Sequence, residues 1–455
     1  MSAYHQFLAK KHAHADTEGI EPGPLAPHLF PFQADLVRWA LKRGRAAIFS
    51  DTGTGKTVQQ IEWARHVSER GRVLMLAPLA VSEQTVDEAA RFGVEIEYAR
   101  KDTGARILIT NYEMMNHFDP GEFIGIVIDE SGILKSFEGS TRNALIDSYS
   151  DTPYRLACTA TPAPNDFAEL GNHSEFLGLK SRTEMLAEYF VHDGGSTQDW
   201  RLKGHATDAF WRWVVSWGAL VKKPSDLGYS DDGFILPPLT MKEHIVEADH
   251  AKANIDGFLF APQAMTLNEQ RAVRRSTMRQ RIDIATKLTA NDEPVLIWAE
   301  LNAEADAITA AIPGAIQIAG SDKIDDKRDR LLGFATGKYR VLVSKTSIAG
   351  HGLNFQRCAT MIFLGVSHSY EGTYQAIRRC WRFGQKRPVT VHMIRAENES
   401  AIVENYRRKE ADAQKLADEM GDRLKDAMRA EIRGLRREWN KYDATKAMEV
   451  PAWLR

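Results

Sequence analysis

One stretch of the chain, from Ala46 to Thr57, limits the possible folds more than any other. It begins as a short apolar run, continues through a loop that contains Gly53 and Gly55, and leads into a helical pattern from Val58 to about Glu69. Because glycine has no Cβ, both positions can adopt backbone turns that other residues resist. The stretch therefore predicts a strand, a tight glycine loop and a helix in immediate succession.

The same loop has the chemistry of a phosphate-binding site. Its N–H groups can point inward, and the first turn of the following helix adds partial positive charge. Lys56 can reach the β- and γ-phosphates of a nucleoside triphosphate, and the Thr57 hydroxyl suits Mg²⁺. Ser50 stands where the motif usually has its first glycine. The nucleotide-binding candidates are Asp51, Thr52, Gly53, Thr54, Gly55, Lys56 and Thr57.

Size and composition restrict the remaining possibilities. The 455 residues allow about two to three domains. A net charge of −2 excludes a chain that is basic throughout, so any contact with nucleic acid must be a local cleft. Three widely spaced cysteines argue against a disulfide framework or a zinc finger. No apolar run approaches the roughly 20 residues of a membrane span, and no signal peptide is recognisable, so we expect a cytoplasmic protein without a membrane partner.

Strands and helices alternate over residues 28–165, after an N-terminal arm at 1–27. Continuous Val, Ile and Leu strands separated by helices predict a parallel sheet that is covered on both faces. The predicted strands are Ala46–Phe49, Val73–Ala77, Ile107–Thr110, Ile124–Ile128 and Arg155–Cys158. The predicted helices are Gln33–Lys42, Val58–Glu69, Ser82–Phe92 and Ser140–Tyr149.

Residues 166–238 are predicted to form a helical insertion, because the strand signal stops after Pro164. Phe210, Trp213, Val214 and Trp217 form one helical stripe. Such a stripe is typical of a buried helix face. Stacking of the tryptophans on nucleic-acid bases is the alternative.

A second series of strands and helices covers residues 239–398 and contains no second phosphate loop. Its predicted strands are Val295–Ala299, Ile316–Ala319, Val341–Ser344, Met361–Leu364 and Val389–Ile394. Two similar sheets with one nucleotide signature indicate a duplicated core, in which the second copy completes the cleft. The charged residues 399–455 are expected to form exposed helices that pack on the second lobe.

Two further segments have residues suited to catalysis. Asp129 and Glu130 end an apolar strand, where Asp129 can hold Mg²⁺ and Glu130 can orient and deprotonate a water. In the segment from Gln375 to Gln385, Gln375, Arg379 and Arg382 share one helical face. A chain with one phosphate loop needs cations from elsewhere, and planar guanidinium groups suit this task. A solvated basic helix is the alternative, but it leaves Gly384-Gln385 unexplained.

These motifs, in this order, resemble those of superfamily-2 helicases. Phe32-Gln33, Thr159-Ala160-Thr161-Pro162 and Gly350-His351-Gly352-Leu353-Asn354 belong to the same series. In detail the chain resembles the Swi/Snf-type DNA-dependent ATPases, in the compact form carried by bacteriophages and bacteria. Ser131 and Arg378 depart from that pattern: alanine often stands at the first position, and glycine or aspartate at the second.

The resemblance implies an α/β fold of two RecA-like lobes, with a helical insertion between them and a helical C-terminal tail. It implies ATP and Mg²⁺ as cofactors, Arg379 and Arg382 as arginine fingers, and Gln33 as the reader of the adenine edge. Gly352 would lie near the ribose or the polymer, and Gln375 joins the nucleotide-binding candidates. The candidates for contact with a nucleic-acid backbone are Pro78 to Ser82, Thr110-Asn111-Tyr112 and Lys345-Thr346-Ser347.

The function expected from this resemblance is an ATP-dependent translocase or helicase on duplex or single-stranded DNA. A strand-separating helicase acting on DNA or RNA is one alternative. A non-hydrolysing scaffold that binds nucleic acid and recruits a nuclease or replication partner is another, although Lys56, Asp129, Glu130 and Arg382 are all present. The cytoplasm would be that of the host if a phage encodes the chain.

Overall fold

The computed structural model describes residues 19–135, 139–163, 166–192, 200–247, 274–349, 354–365, 370–399 and 422–433. Within these ranges the chain forms two parallel sheets of seven and six strands. Each sheet has its own buried apolar residues, and helices connect the strands. The prediction of two α/β lobes is confirmed.

The first lobe alternates strands with helices from Pro31 onward. Its elements as far as residue 159 are α1 (Pro31–Arg43), β1 (Arg45–Ser50), α2 (Lys56–Ser68), β2 (Val73–Leu76), α3 (Leu79–Arg91), β3 (Glu97–Tyr98), β4 (Ile107–Thr110), β5 (Gly125–Asp129), α4 (Ser140–Ser148) and β6 (Tyr154–Thr159). The chain continues with α5 (Leu170–Phe176), α6 (Arg182–Tyr189), β7 (Phe190–His192), β8 (Trp200–Leu202), α7 (Thr207–Val215) and β9 (Gly218–Val221).

The strand order β3-β4-β2-β5-β6-β1-β9 brings distant motifs to one edge of the sheet. Strands β1 and β5 both pair with β6, so Ile48 lies beside Cys158 and Cys158 lies beside Asp129. Because all these strands are parallel, the phosphate loop after β1 and the acidic pair at the end of β5 occupy the same carboxyl edge. This is where open α/β sheets bind their ligands.

The expectation that strands stop after Pro164 is wrong. Strands β7 and β8 form a hairpin, and β9 extends the first sheet by pairing with β1. Strand β9 has four residues, Gly-Ala-Leu-Val, and follows an aromatic helix closely, so its sequence resembles a continuation of that helix. Phe210 and Val214 are fully buried, and Trp217 is buried, so the stripe is a packing surface as predicted.

The second lobe contains β10 (Leu239–Val246), α8 (Met278–Leu288), β11 (Val295–Trp298), α9 (Asn302–Ala311), β12 (Ile316–Gln317), α10 (Ile324–Thr336), β13 (Val341–Ser344), α11 (Thr346–Ala349), β14 (Thr360–Phe363), α12 (Tyr370–Ile377) and β15 (Val389–Ala396). Its strands are ordered β10-β15-β14-β11-β13-β12. Strand β10 was not predicted: most of its residues are exposed at the sheet edge, and it lacks a continuous apolar run.

Both ends of the described chain pack on the first lobe. Ile20, within the predicted N-terminal arm, is buried there, and its N–H donates to the Leu41 carbonyl over 2.7 Å. The C-terminal helix α13 (Asp422–Ile432) also lies there: Met428 joins the first core, and Glu431 pairs with Arg43. The expectation that this tail packs on the second lobe is therefore wrong for the part described. The domain boundaries stay predictions.

A buried ion cluster closes the end of the second sheet. Glu399 is fully buried and accepts a hydrogen bond from Arg274 Nε over 3.0 Å and from Arg281 Nη2 over 2.6 Å. It also accepts the N–H of Ala396 over 2.8 Å.

None of the helices within the described ranges is long and apolar enough to cross a membrane.

Replacing Glu399 with alanine should loosen this lobe, because two buried guanidinium groups lose their counterion. The free energy of opening of strand β15, measured by hydrogen exchange, should fall by about 3–5 kcal/mol. The control is Glu293→Ala, which removes an exposed carboxylate paired with Arg387 and should cost less than about 1 kcal/mol. Equal losses in the two variants would contradict the role of the cluster.

Candidate nucleotide site between the two lobes

The phosphate loop has the backbone that its sequence predicts. Gly53 and Gly55 have φ angles of 89° and 84°, in the left-handed region that favours glycine, and α2 begins directly afterwards at Lys56. The Lys56 ammonium donates to the Ser50 carbonyl over 2.8 Å and to the Asp51 carbonyl over 3.2 Å. Burial lowers the pKa of Lys56, and the neighbouring Glu130, Asp51 and Asp129 act against that shift.

Ser50 fits the interior of this loop. It is fully buried, and its Oγ lies 2.9 Å from the hydroxyl of Thr54. The Thr54 hydroxyl also donates to the Asp51 carbonyl over 2.7 Å. The departure from the usual glycine is therefore accommodated by a hydroxyl contact across the loop.

Gln33 lies against the phosphate loop. Its Oε1 accepts the Phe30 N–H over 3.0 Å, and its Nε2 donates to the Thr54 carbonyl over 2.8 Å. A Cβ at Gly55 would lie 2.3 Å from that Nε2, so this glycine is also needed for close approach. Gln33 thus supports the loop in this structure, and its reading of an adenine edge stays a prediction.

The acidic pair has an unusual backbone. Asp129 ends β5, and Glu130 has a φ of 54°, the only positive φ of a non-glycine residue in the described ranges. Such conformations persist where the surroundings enforce them and are concentrated at functional sites. Asp129 Oδ1 accepts a hydrogen bond from Gln60 Nε2 over 2.7 Å. Burial, with the adjacent Glu130 charge, raises the pKa of Asp129 to about 6.

The strand beside the acidic pair ends in the threonines that the sequence singled out. Thr159 is fully buried, and its hydroxyl lies 3.5 Å from Glu130 Oε2, the outer limit of a hydrogen bond. The same hydroxyl accepts the N–H of Thr161 over 3.2 Å. Ser131, the second residue after Asp129, contacts His173 Nε2 over 3.1 Å in the buried interior. Sequence reasoning did not connect His173 with this site.

The arginines of the second lobe lie near the acidic pair, but helix α12 ends at Ile377, so the expectation that Gln375, Arg379 and Arg382 share one helical face is wrong. Burial lowers the pKa of Arg379, and the charges of Glu130 and Asp129 act against that shift. Burial, and then the charge of Arg379, lower the pKa of Arg382 to about 10, while Glu88 and Glu130 act in the opposite direction. Glu130 therefore interacts electrostatically with Lys56 of the first lobe and with both arginines of the second.

Two polar atoms of the segment from Gln375 to Gln385 are buried without a hydrogen-bond partner in the part of the chain that is described. They are Arg382 Nε and Gln375 Oε1. A buried N–H of a guanidinium group without an acceptor is costly unless a ligand satisfies it. Together with the Lys56 ammonium, the Arg382 N–H fits a polyphosphate, whereas the Gln375 oxygen can only accept a hydrogen bond from a donor.

A metal ion would have few protein ligands here. No group of three or more His, Cys, Asp or Glu side chains suited to a metal occurs in the described ranges. Thr57, in the first turn of α2, and Asp129 are the residues that could hold Mg²⁺. This fits Mg²⁺, which is usually held by one or two protein ligands together with substrate phosphates and water.

The candidates for contact with nucleic acid differ in how exposed they are. Thr110 and Ser82 are fully buried, so their side chains are not available to a polymer in this conformation. The Tyr112 hydroxyl donates to the Asp129 carbonyl, whereas Ser347 is exposed. Gly352 lies outside the described residues, and its role stays a prediction.

Sequence reasoning missed the direct contact between the lobes at the phosphate loop. The Tyr374 hydroxyl donates to Asp51 Oδ1 over 2.8 Å, and Arg378 forms an ion pair with Asp51 Oδ2. A Cβ at Gly53 would lie 2.9 Å from the backbone nitrogen of Phe383. The available signal was Arg378 itself, a basic residue at a position that departs from the family pattern.

Comparison with known proteins matches both lobes. Residues 27–164 match the family described as "Type III restriction enzyme, res subunit", and residues 278–384 match the "Helicase conserved C-terminal domain". The two matched regions contain the phosphate loop, the acidic pair and, except for its last residue, the arginine segment from Gln375 to Gln385.

Curated relatives point to a narrower group. The chain is 23% identical over 448 residues to the zebrafish (Danio rerio) protein "Chromodomain-helicase-DNA-binding protein 1-like", covering 80% of this chain and 41% of the relative. It is 24% identical over 162 residues to mouse (Mus musculus) "DNA annealing helicase and endonuclease ZRANB3", covering 31% and 15%. It is 28% identical over 159 residues to the Xenopus tropicalis "SWI/SNF-related matrix-associated actin-dependent regulator of chromatin subfamily A-like protein 1", covering 32% and 17%.

The chain thus spans less than half the length of each of these relatives. Within that span, both family matches, the relatives and the two parallel-sheet lobes all indicate a helicase. The chain belongs to superfamily 2 of the helicases, in its Swi/Snf-type branch.

Proposed function

We propose that this protein is an ATP-dependent DNA translocase that hydrolyses ATP in the cleft between its two lobes. The single observation that carries the proposal is the environment of Glu130. Lys56 from the first lobe and Arg379 and Arg382 from the second all interact with this carboxylate. The charges that phosphoryl transfer requires are therefore contributed by two distant parts of the chain.

Each residue has a role that follows from its position. Lys56, at the start of α2, would bind the β- and γ-phosphates, and the buried N–H of Arg382 would bind the γ-phosphate as its negative charge develops. Glu130 would orient the attacking water and accept its proton. Thr57 and Asp129 would hold Mg²⁺, which when bound neutralises phosphate charge.

Hydrolysis at such a site depends on closure of the lobes, because neither lobe has all the cations. Alternating closure and opening can then move the lobes along a polymer. Support for DNA as that polymer comes from the relatives, whose names include a DNA-binding helicase and a DNA annealing helicase. Contacts with a nucleic-acid backbone require no reading of bases, which fits a motor that must move over any sequence.

Changing Glu130 to glutamine should lower ATP turnover by about 10²- to 10⁴-fold, because the amide cannot accept the proton of the water. ATP binding, measured by fluorescence of a labelled nucleotide, should be retained. Changing Lys56 to alanine should abolish turnover. The matched control is Glu122→Gln, an exposed acid of the same lobe, which should turn over normally. Normal turnover by Glu130→Gln or Lys56→Ala would refute the assignment.

Changing Arg382 to alanine should reduce kcat by about 10³- to 10⁵-fold, as expected for an arginine finger. Nucleotide affinity should stay nearly intact, since the phosphate loop and its contacts with Tyr374 and Arg378 of the second lobe are unchanged. Arg387→Ala is the control, because Arg387 is a half-exposed arginine of the same lobe that pairs with Glu293. A loss of nucleotide affinity as large as the loss of turnover would contradict this role.

The ATPase rate without polymer, with duplex DNA, with single-stranded DNA and with RNA tests the substrate. We expect DNA to stimulate the rate and the apparent DNA affinity to fall as salt rises from 50 to 200 mM, by on the order of 10³-fold for about six phosphate contacts. Stimulation by RNA alone would favour an RNA helicase instead. Absence of hydrolysis under every condition would favour a binding scaffold.

A further inference from the structure

The lobes are joined at the phosphate loop by a small cluster of three side chains, Asp51, Tyr374 and Arg378. The carboxylate of Asp51 uses both oxygens: Oδ1 accepts the Tyr374 hydroxyl over 2.8 Å, and Oδ2 pairs with Arg378. The side chains of Asp51 and Arg378 are only 18% and 8% exposed. Water is thus largely excluded from the ion pair, and charge-assisted bonds in such surroundings are stronger than those on a surface.

Arg378 is held in position from its own lobe. Its guanidinium carbon lies 4.6 Å from the ring centre of Trp381 and 5.2 Å from that of Tyr374. Trp381 is itself fixed, because its Nε1 donates to the Pro237 carbonyl over 2.7 Å. A planar guanidinium that lies over aromatic rings is pre-organised in its orientation, which a lysine could not reproduce.

Asp51 is equally fixed on the first lobe. Its N–H donates to the Val221 carbonyl of β9 over 2.9 Å, and its Oδ1 accepts the N–H of Thr52 over 2.6 Å. The carbonyl of Asp51 accepts the Lys56 ammonium over 3.2 Å. The carboxylate that contacts the second lobe therefore belongs to the same loop that holds the phosphate-binding lysine.

A second ion pair between the lobes provides a comparison. Arg328 and Glu83 approach to 3.0 Å, but their side chains are 53% and 39% exposed. Exposed pairs of this kind contribute little to stability. The buried contact of Asp51 is thus the stronger electrostatic link of the two.

We propose that Arg378 is a positioning residue which, with Tyr374, holds the phosphate loop and the arginine segment together before ATP binds. The inference rests on the proposed function, since it concerns how that site is assembled. Arg378 and Arg379 are adjacent, and the Arg379 carbonyl accepts the N–H of Phe355 over 2.8 Å. Because Arg378 directly precedes Arg379, the ion pair with Asp51 also restricts where the arginine fingers can lie.

Loss of this contact between the lobes should weaken ATP binding. If the lobes are already closed in the resting protein, ATP binds a pre-assembled site. Without the contact, the competent closed state is only a fraction of the population, and the apparent dissociation constant rises by the inverse of that fraction. Arg378 thus differs from Arg382: its loss should act on KM, whereas loss of an arginine finger acts on kcat.

The test is a double-mutant cycle on Arg378→Gln and Asp51→Asn. Each single variant should raise the KM for ATP about tenfold, with a smaller fall in kcat. The double variant should also show about a tenfold rise, rather than a hundredfold rise, because both changes break one contact. Arg328→Gln, which breaks the exposed pair between the lobes, is the control and should change KM by less than about twofold.

A fall in kcat with an unchanged KM, or multiplicative effects in the double variant, would overturn the proposal. A conservative change gives a further readout: Arg378→Lys keeps the charge but loses the planar stack, so its KM should lie between those of the wild type and Arg378→Gln. A KM for Arg378→Lys as high as that for Arg378→Gln would also count against positioning by charge.

A distance measurement tests the contact without ATP hydrolysis. Spin labels at Glu69→Cys and Asp292→Cys lie on exposed positions of the two lobes, and the native cysteines are buried. Without nucleotide, the labelled protein should give one narrow distance distribution, and Arg378→Gln should give a broader and longer one. An unchanged distribution would refute the contact, whereas normal turnover by Lys56→Ala would refute only the proposed function.

Discussion

The structure depends on one electrostatic constraint, the balance of charges in the cleft between the lobes. Arg379 is buried, Lys56 and Arg382 are half-buried, and each interacts with the carboxylate of Glu130. Like charges in a partly desolvated cleft repel each other unless anions lie among them. Asp129 and Glu130 supply part of that negative charge, and a bound triphosphate would supply more. The carboxyl edge of the first sheet and the segment between α12 and β15 of the second lobe are the means by which the chain brings these groups together.

Much of the fold could be predicted from sequence, because the strands of a covered parallel sheet are continuous apolar runs. The predicted bounds of Ile107–Thr110 and Val341–Ser344 agree with the structure, and the helix after the phosphate loop differs by two residues at its start. Strand β9 could not be predicted, since its four residues acquire strand geometry only by pairing with β1. The position of helix α13 depends on contacts with Arg43 and Asp226, which no local pattern encodes.

The candidate site likewise combines residues that local sequence patterns predict with contacts between residues far apart in the chain. The loop glycines, Lys56 and the acidic pair follow from local spacing, because strand, turn and helix geometry determine where each side chain lies. The ion pair between Asp51 and Arg378 joins residues 327 positions apart, so no local pattern predicts it. The contacts of Gln33 with the phosphate loop were missed for a related reason: both groups of its amide bond to backbone, which depends on packing rather than on the motif.

A crystal structure of the protein with Mg²⁺, ADP and a fluoride analogue of the transferred phosphoryl group tests the shared site most directly. The Lys56 ammonium and the guanidinium groups of Arg379 and Arg382 should lie within hydrogen-bonding distance of that one analogue, and Glu130 should face the attacking position. An analogue bound by the first lobe alone, with both arginines directed into solvent, would refute a site shared by the two lobes.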